Sequence, residues 1–342
     1  MSDLAVRLAA YIKKRLPDAK DVRVEGLERI FGGASRETYR FVLHLREGDT
    51  ETQRRLILRR DPPGSLIETE RAIEFETYRA FYGSVVPVPE PLWLEEDDRW
   101  LDHPFFVMEE IVGFESNPQL IAQPPFSEHA AAFAERTWTI LGEIARADVK
   151  ALGIDAVMET VSPAACAERE LAFWEAKIDR DEACPQPVIR AAIRWLRRNP
   201  PPPAQKVGVV HGDFRTGNFL FDAEGRIGAI LDWEMAHLGD PLEDLAWGLN
   251  PVWRFGGDER AGGLAPNEDA IRIWEAASGL IATPEALRWW EVFSCVKGQA
   301  IWISGGHEFS KGANQDPILA VAAWLMGNSQ DRAALHLLGK LS

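Results

Sequence analysis

Apolar residues recur at every fourth position at the start of the chain: Leu4, Leu8, Ile12 and Leu16, with Lys13, Lys14 and Arg15 beside them. That spacing predicts an amphipathic helix, which Pro17 stops. From 22 to 62 the period shortens to two. Val22, Val24, Tyr39, Phe41, Leu43, Leu45, Leu56 and Leu58 alternate with polar residues and predict three antiparallel strands. Phe31-Gly32-Gly33-Ala34-Ser35 breaks the first strand from the second, Gly48-Asp49 turns the second into the third, and Asp61-Pro62-Pro63-Gly64 ends the third. Helical spacing returns over 68–82 through Ile73, Tyr78, Phe81 and Tyr82. Val85 to Trp93 reads as a proline-broken extended segment. Trp100 to Val112 predicts a hairpin ending in Phe105-Phe106-Val107-Met108, with Gly113 as a hinge.

Beyond Gly113 the pattern is mainly helical. Helices are predicted over 128–150, 163–180, 186–198, 241–253, 267–281, 284–304 and 317–340. The four prolines from Pro200 to Pro203 force an extended connector. Val207 to Val210 reads as a short buried strand. Phe219 to Phe221 and Ile227 to Leu231 read as a hairpin around Asp222-Ala223-Glu224-Gly225. The layout predicts an α+β fold. A small antiparallel β-rich lobe covers 1–112, a hinge lies near 109–113, and a larger helical lobe covers 113–342.

Composition narrows the function. The 342 residues can bury a substantial core in one large domain or two lobes. With 53 acidic against 38 basic residues the net charge is −15, and no basic stretch offers the surface that a general nucleic-acid binder needs. The same acidity repels free ATP, so a nucleotide site would need local cations and a metal. Cys166, Cys184 and Cys295 are widely spaced and odd in number, which points to buried thiols and away from a disulfide framework or structural zinc. The N-terminal stretch lacks the apolar run of a secretory signal, and no run of ~18 apolar residues predicts a membrane span. A cytoplasmic protein is expected. Nothing in the pattern fixes an oligomeric state.

The densest chemical signal is Val209-Val210-His211-Gly212-Asp213-Phe214-Arg215-Thr216-Gly217-Asn218-Phe219-Leu220-Phe221-Asp222, followed by Ile230-Leu231-Asp232-Trp233-Glu234. His211, Asp213, Asn218 and Asp232 stand beside strands apolar enough to be buried. A buried carboxylate without a partner is costly, so two of them flanking one hairpin suggest a cation between them. Phosphoryl transfer asks for such a set. Magnesium prefers oxygen ligands, which Asn218 and Asp232 can offer, and a further carboxylate, Asp213, can orient a hydroxyl and accept its proton. Asp213 and Asn218 are five residues apart, the base-to-ligand spacing of a kinase catalytic loop.

The runs HGDFRTGNFLFD and ILDWEMAHLGDPLEDLAW resemble the aminoglycoside phosphotransferase and choline kinase family, and most closely the branch related to kinase-like domains fused to acyl-CoA dehydrogenases. The resemblance extends from about residue 20 to 330. It implies a two-lobed protein-kinase-like fold and an ATP- or GTP-dependent, magnesium-assisted kinase acting on a small-molecule hydroxyl. Asp213 would be the base, His211 would organise its loop, and Asn218 and Asp232 would hold the metal. Asp240 would cap the following helix and Asp244 would sit in its first turn. In the N-terminal lobe, Gly32, Gly33 and Ser35 would form the phosphate-binding turn. Arg59 stands where kinases usually place lysine, with Glu74 as its partner and Glu70 as runner-up. Glu109 to Val112, including Ile111, would present backbone to the base of the nucleotide.

Two alternatives belong to other classes. A metal hydrolase built on His211, Asp213 and Asp232 would need more ligands nearby, and His237, the next histidine, is expected at the surface. An inactive kinase-like binding protein would be expected to have lost its base or metal ligands, and all are present. Most of the thirteen tryptophans are expected in the helical core, with Trp253, Trp289 and Trp302 as candidates to line an acceptor pocket.

Overall fold

The computed structural model describes residues 3–30, 37–61, 71–254, 259–312 and 317–340. Gly32, Gly33, Ser35 and Glu70 lie outside the described residues. Strands β1 (Asp21–Ile30), β2 (Glu37–Glu47) and β3 (Thr50–Arg60) form the antiparallel meander that the alternation predicts. Gly48, in the two-residue loop from β2 to β3, holds φ +61, a left-handed value that costs glycine no Cβ clash.

The sheet continues with β4 (Pro91–Glu95) and β5 (Phe105–Glu109) in the order β1-β2-β3-β5-β4. This corrects the expected hairpin over 100–112. Phe105–Glu109 pairs instead with Pro91–Glu95, which begins inside the segment over Val85 to Trp93 expected to be merely extended and runs two residues past it. β4 is an edge strand, where Pro91 removes no essential ladder hydrogen bond.

Alternation sorts the sheet residues between two cores. Leu56, Leu58, Phe105 and Val107 face α1 (Asp3–Arg15) and pack with its Leu8, Tyr11 and Ile12. Ile57, Phe106 and Met108 face the other way, against Phe75, Tyr78 and Phe81 of α2 (Arg71–Phe81), and join the large core of the helical lobe. Arg59 is two residues from Ile57 and therefore shares this inner face.

The helical lobe contains α3 (Ala130–Arg146), α4 (Cys166–Asp181), α5 (Pro187–Arg198), α6 (Leu242–Leu249), α7 (Asn267–Ser278), α8 (Pro284–Ser310) and α9 (Pro317–Leu337). α8 is its pillar. Thr283 caps it through the Ala286 N–H, Pro284 occupies its first turn, and buried residues such as Trp290, Phe293 and Val296 surround its axis. α6 ends at Leu249, short of the expected 253, because Asn250 precedes Pro251 and proline disfavours helical backbone before it. A 3₁₀ turn follows over Pro251–Trp253. Cys166 and Cys295 are buried, whereas Cys184 is exposed, contrary to the expectation for all three thiols. No helix among the described residues is long and apolar enough to cross a membrane.

Two small ladders frame the chemistry. β6 (Gly208–Val210) pairs with β9 (His237–Gly239), and β7 (Phe219–Phe221) pairs with β8 (Ile227–Ile230). Loops 211–218 and 231–236 are held between them.

Candidate active site

Asp213 leaves the end of β6 in a loop secured on every side. The Gly212 N–H donates to Asp244 Oδ1 at 2.9 Å, and the His211 N–H donates to Asp244 Oδ2 at 2.6 Å. Asp244 is expected merely to favour the helix dipole. It lies fully inside the fold instead and binds the loop backbone, and burial pushes its carboxyl up to about 6. Gly212 holds φ +85, and a Cβ there would fall on the Met235 carbonyl. Asp240 is expected to cap α6 but stands one residue before the observed cap. Pro241 takes that place, yet Asp240 still accepts the Leu242 N–H at 3.0 Å and the Trp290 indole N–H at 3.1 Å.

His211 is fully buried. Its Nδ1 accepts the Asp213 N–H at 3.1 Å and therefore carries no proton, so Nε2–H donates to the Leu231 carbonyl at 2.9 Å. Burial lowers its pKa to about 4. A neutral imidazole thus ties the Asp213 loop to the residue before Asp232.

The Asp213 carboxylate meets three donors. Trp247 Nε1 reaches Oδ1 at 2.8 Å, Asn218 Nδ2 reaches Oδ2 at 2.7 Å, and Arg215 Nε lies 3.1 and 3.2 Å from the two oxygens. Because the Asn218 amide nitrogen faces Asp213, its carbonyl oxygen is left to face elsewhere. The Asn218 carbonyl of the main chain accepts the Leu231 N–H at 2.8 Å, which sets Asn218 next to Asp232. Both side chains line one cleft.

Asp232 adopts a left-handed backbone, φ 69 and ψ 53, unusual for a residue other than glycine. Its N–H donates to the Tyr78 hydroxyl of α2 at 2.9 Å, and its Oδ1 accepts from Arg59 at 2.8 Å. Arg59 also meets Glu74 at 2.7 Å, so the expected partner is the observed one. Burial opposes the charge on Arg59, but Glu74 and Asp232 outweigh it and raise its pKa. Burial likewise would raise the Asp232 carboxyl, and Arg59 holds it below the ordinary range.

The cleft encloses about 500 Å³ between the lobes. Arg59 and Ile57 line it from the sheet, Glu109 and Ile111 from the connector, and Asn218 and Asp232 from the helical lobe. One amide oxygen and one carboxylate in a shared cleft form a hard-oxygen donor set that suits magnesium.

A second cleft of about 470 Å³ opens on the other side of the 231–236 loop. Met158, Phe173, Trp174 and Met235 provide apolar walls, with His237 and Lys297 among its polar residues. His237 is not the solvated surface residue expected. It is half-buried, with Nε2 3.2 Å from Glu243 and 3.5 Å from Glu170. Burial opposes its charge, but Glu170 and Glu243 push its pKa up to about 9. Glu170, His237 and Glu243 have the ligand spacing of a metal site. Lys297 already neutralises the group, however, with its ammonium 2.8 Å from Glu243. A cationic imidazole and an ammonium oppose a metal ion there.

Among the three candidate tryptophans, Trp253 stacks over the Arg215 guanidinium at 4.7 Å, and Trp302 packs against Trp253. Trp289 lies elsewhere, in the core against Phe293, with its indole N–H on the Leu196 carbonyl. Sequence reasoning missed Trp247, Arg215, Lys297 and Tyr78. Two left a signal. Trp247 is three residues from Asp244 on α6 and shares its face, and Lys297 is a lone cation within a buried stretch of α8.

With this geometry in place, the relatives define the class. The model of the phosphotransferase enzyme family matches residues 26–299, and the chain belongs to that family. Acyl-CoA dehydrogenase family member 10 of Mus musculus is 32% identical over 198 residues, 57% of this chain and 18% of that protein. Acyl-CoA dehydrogenase family member 11 of Gallus gallus is 30% identical over 195 residues, 56% of this chain and 24% of that protein. The chain thus spans a quarter or less of these two relatives. Among solved structures, a presumed aminoglycoside phosphotransferase of Ralstonia eutropha JMP134 superposes with a TM-score of 0.72 at 21% identity, covering 98% of both chains. The GDP complex of wild-type aminoglycoside 2′-phosphotransferase-IIIa gives 0.62 at 13% identity, covering 96% of this chain and 98% of that one. These likenesses show a kinase-like α+β fold.

Proposed function

We propose that this protein transfers the γ-phosphoryl group of ATP or GTP to a hydroxyl group of a small metabolite. The supporting observation is that Asn218 and Asp232 line one interlobe cleft, while the Asn218 amide donates to the Asp213 carboxylate at 2.7 Å. Asp213 accepts a hydrogen bond from the acceptor hydroxyl, aims its oxygen at the γ-phosphorus, and takes its proton late. The new bond joins the hydroxyl oxygen to phosphorus as the bond to the β-phosphate oxygen breaks, with the nucleoside diphosphate leaving. Asn218 and Asp232 hold magnesium, which when bound neutralises charge on the β- and γ-phosphates. Arg59, beside Asp232, faces the phosphates that are not transferred. Backbone at Glu109 and Ile111 meets the base of the nucleotide. Positioning and electrostatics supply the rate gain.

The acceptor enters from the second cleft. Met235 and Lys297 line it and also touch Gly212, next to the base. Its apolar walls suit an acceptor with a large apolar portion, and a hydroxyacyl compound fits both these walls and the dehydrogenase relatives. The charged residues of the same lining, Arg169 and His237 against Glu159, Glu170 and Glu234, do not single out a polycationic aminoglycoside.

A nucleotide-consumption screen against hydroxyacids, hydroxyacyl-CoAs, aminoglycosides, choline and sugars tests this reading. Hydroxyacyl compounds are expected to stimulate diphosphate release, and Asp213→Asn is expected to lower it about a thousandfold with nucleotide binding retained. Equal turnover in Asp213→Asn would remove Asp213 as the base. Nucleotide binding by the wild type with no turnover of any acceptor would favour a catalytically inactive, nucleotide-binding kinase-like protein.

A further inference from the structure

We infer that Trp247, braced by Lys297, is a positioning residue that fixes the rotamer of the Asp213 carboxylate. This rests on the assignment of Asp213 as the base. The residue before the base is gripped at both polar atoms of its backbone. Asp244 takes the Gly212 N–H, and Lys297 Nζ donates to the Gly212 carbonyl at 2.5 Å. The backbone is therefore fixed, but a carboxylate on a fixed backbone still rotates about two bonds.

Trp247 removes that freedom. Its indole N–H holds Oδ1 at 2.8 Å while Asn218 holds Oδ2 at 2.7 Å, so each oxygen has its own neutral donor beside the Arg215 guanidinium that the two share. Indole carries a single donor and accepts nothing, so it can bind only an acceptor oxygen. The ring cannot swing away, because Trp247 is 1% exposed and the Lys297 ammonium lies 5.0 Å from its centroid. Lys297 reaches both the ring and the Gly212 carbonyl, with Trp174 behind it at 5.6 Å and Glu243 balancing its charge. One cation thus aligns the base backbone and the donor that orients the base.

Two measurements test this. The first is magnesium–ATP hydrolysis with water as acceptor, comparing wild type with Trp247→Phe, which keeps an aromatic ring and deletes the donor. The expected result is a roughly tenfold to hundredfold fall in kcat with the KM for ATP within about twofold, because a lost hydrogen bond to a charged group acts on the base and leaves the nucleotide alone. Unchanged kcat, or a fall matched by a similar rise in KM, would overturn the proposal. The second is the indole ¹H–¹⁵N resonance of Trp247, assigned by its disappearance in Trp247→Phe. It is expected to move upfield in Asp213→Ala, which removes the acceptor, and an unmoved resonance would overturn the proposal. If wild type hydrolyses no ATP with water, the same kcat comparison is made with the acceptor that the screen identifies, and the resonance independently decides whether Trp247 holds Asp213.

Discussion

Arg59 and Lys297 are both buried and both paired with carboxylates, yet they sit in opposite kinds of surroundings. Arg59 joins Glu74 in its own lobe to Asp232 in the other, and the Asp232 side chain is 28% exposed at the cleft. Lys297 meets Glu243 with both side chains 1% exposed, and its neighbours all belong to the helical lobe. A carboxylate at a cleft wall can exchange a guanidinium for another cation. One sealed inside a helical bundle cannot. The same pairing of cation and carboxylate therefore makes an interlobe junction open to a cleft in one place and an enclosed brace in the other.

Lys297→Met should break the brace and leave Glu243 buried without its ammonium. A loss of about 3–5 kcal/mol is expected in chemical denaturation. If Arg59→Met destabilised the fold more, the contrast between the two cations would collapse. Asp232→Asn should lower magnesium-dependent ATP affinity about tenfold to hundredfold by calorimetry, with a melting temperature near that of wild type. Identical titrations with and without magnesium in the wild-type protein would remove Asp232 as a metal ligand. Arg59→Lys keeps the charge and loses the two-sided guanidinium geometry, so a cost of about 1 kcal/mol in nucleotide affinity is expected.

The last test is a pH slope. His237 has its folded pKa raised to about 9, so its stabilisation is complete below its ordinary pKa near 6.5 and is lost as pH rises through about 9. Denaturation between pH 6.5 and 9 should show falling stability of no more than about 1.4 kcal/mol per pH unit from this group. His237→Gln should flatten that slope. Glu243 gives the opposite limb. Lys297 and His237 outweigh burial and lower its pKa to about 2, so its contribution holds above about 4.5 and is lost as pH falls towards 2.

How much of this could be read in advance follows from sequence separation. The meander of β1 to β3 is written in a two-residue period, and that period also puts Arg59 on the face of Ile57, towards Glu74 and Asp232. Asp213 and Asn218 share one loop, so their spacing carried the reading. β4 was missed because Pro91, with Pro87 and Pro89 just before it, argues against a strand unless it is known to lie at an edge, which only the folded sheet decides. His237 and Lys297 take their character from residues 6 to 85 positions away, brought together by the docking of α4, α6 and α8. No local pattern records that docking. The reach of Trp247 to Asp213, 34 residues earlier, is of the same kind, although its place on the Asp244 face of α6 offered a hint.

The twisted backbone at Asp232 has a consequence for durability. A side chain at φ 69 carries a conformational cost that glycine escapes. Asp232→Gly would relax the main chain, but it would also strip the buried Arg59 guanidinium of one of its two carboxylates. The strained corner thus holds a charge that both the opposite lobe and the open cleft can reach.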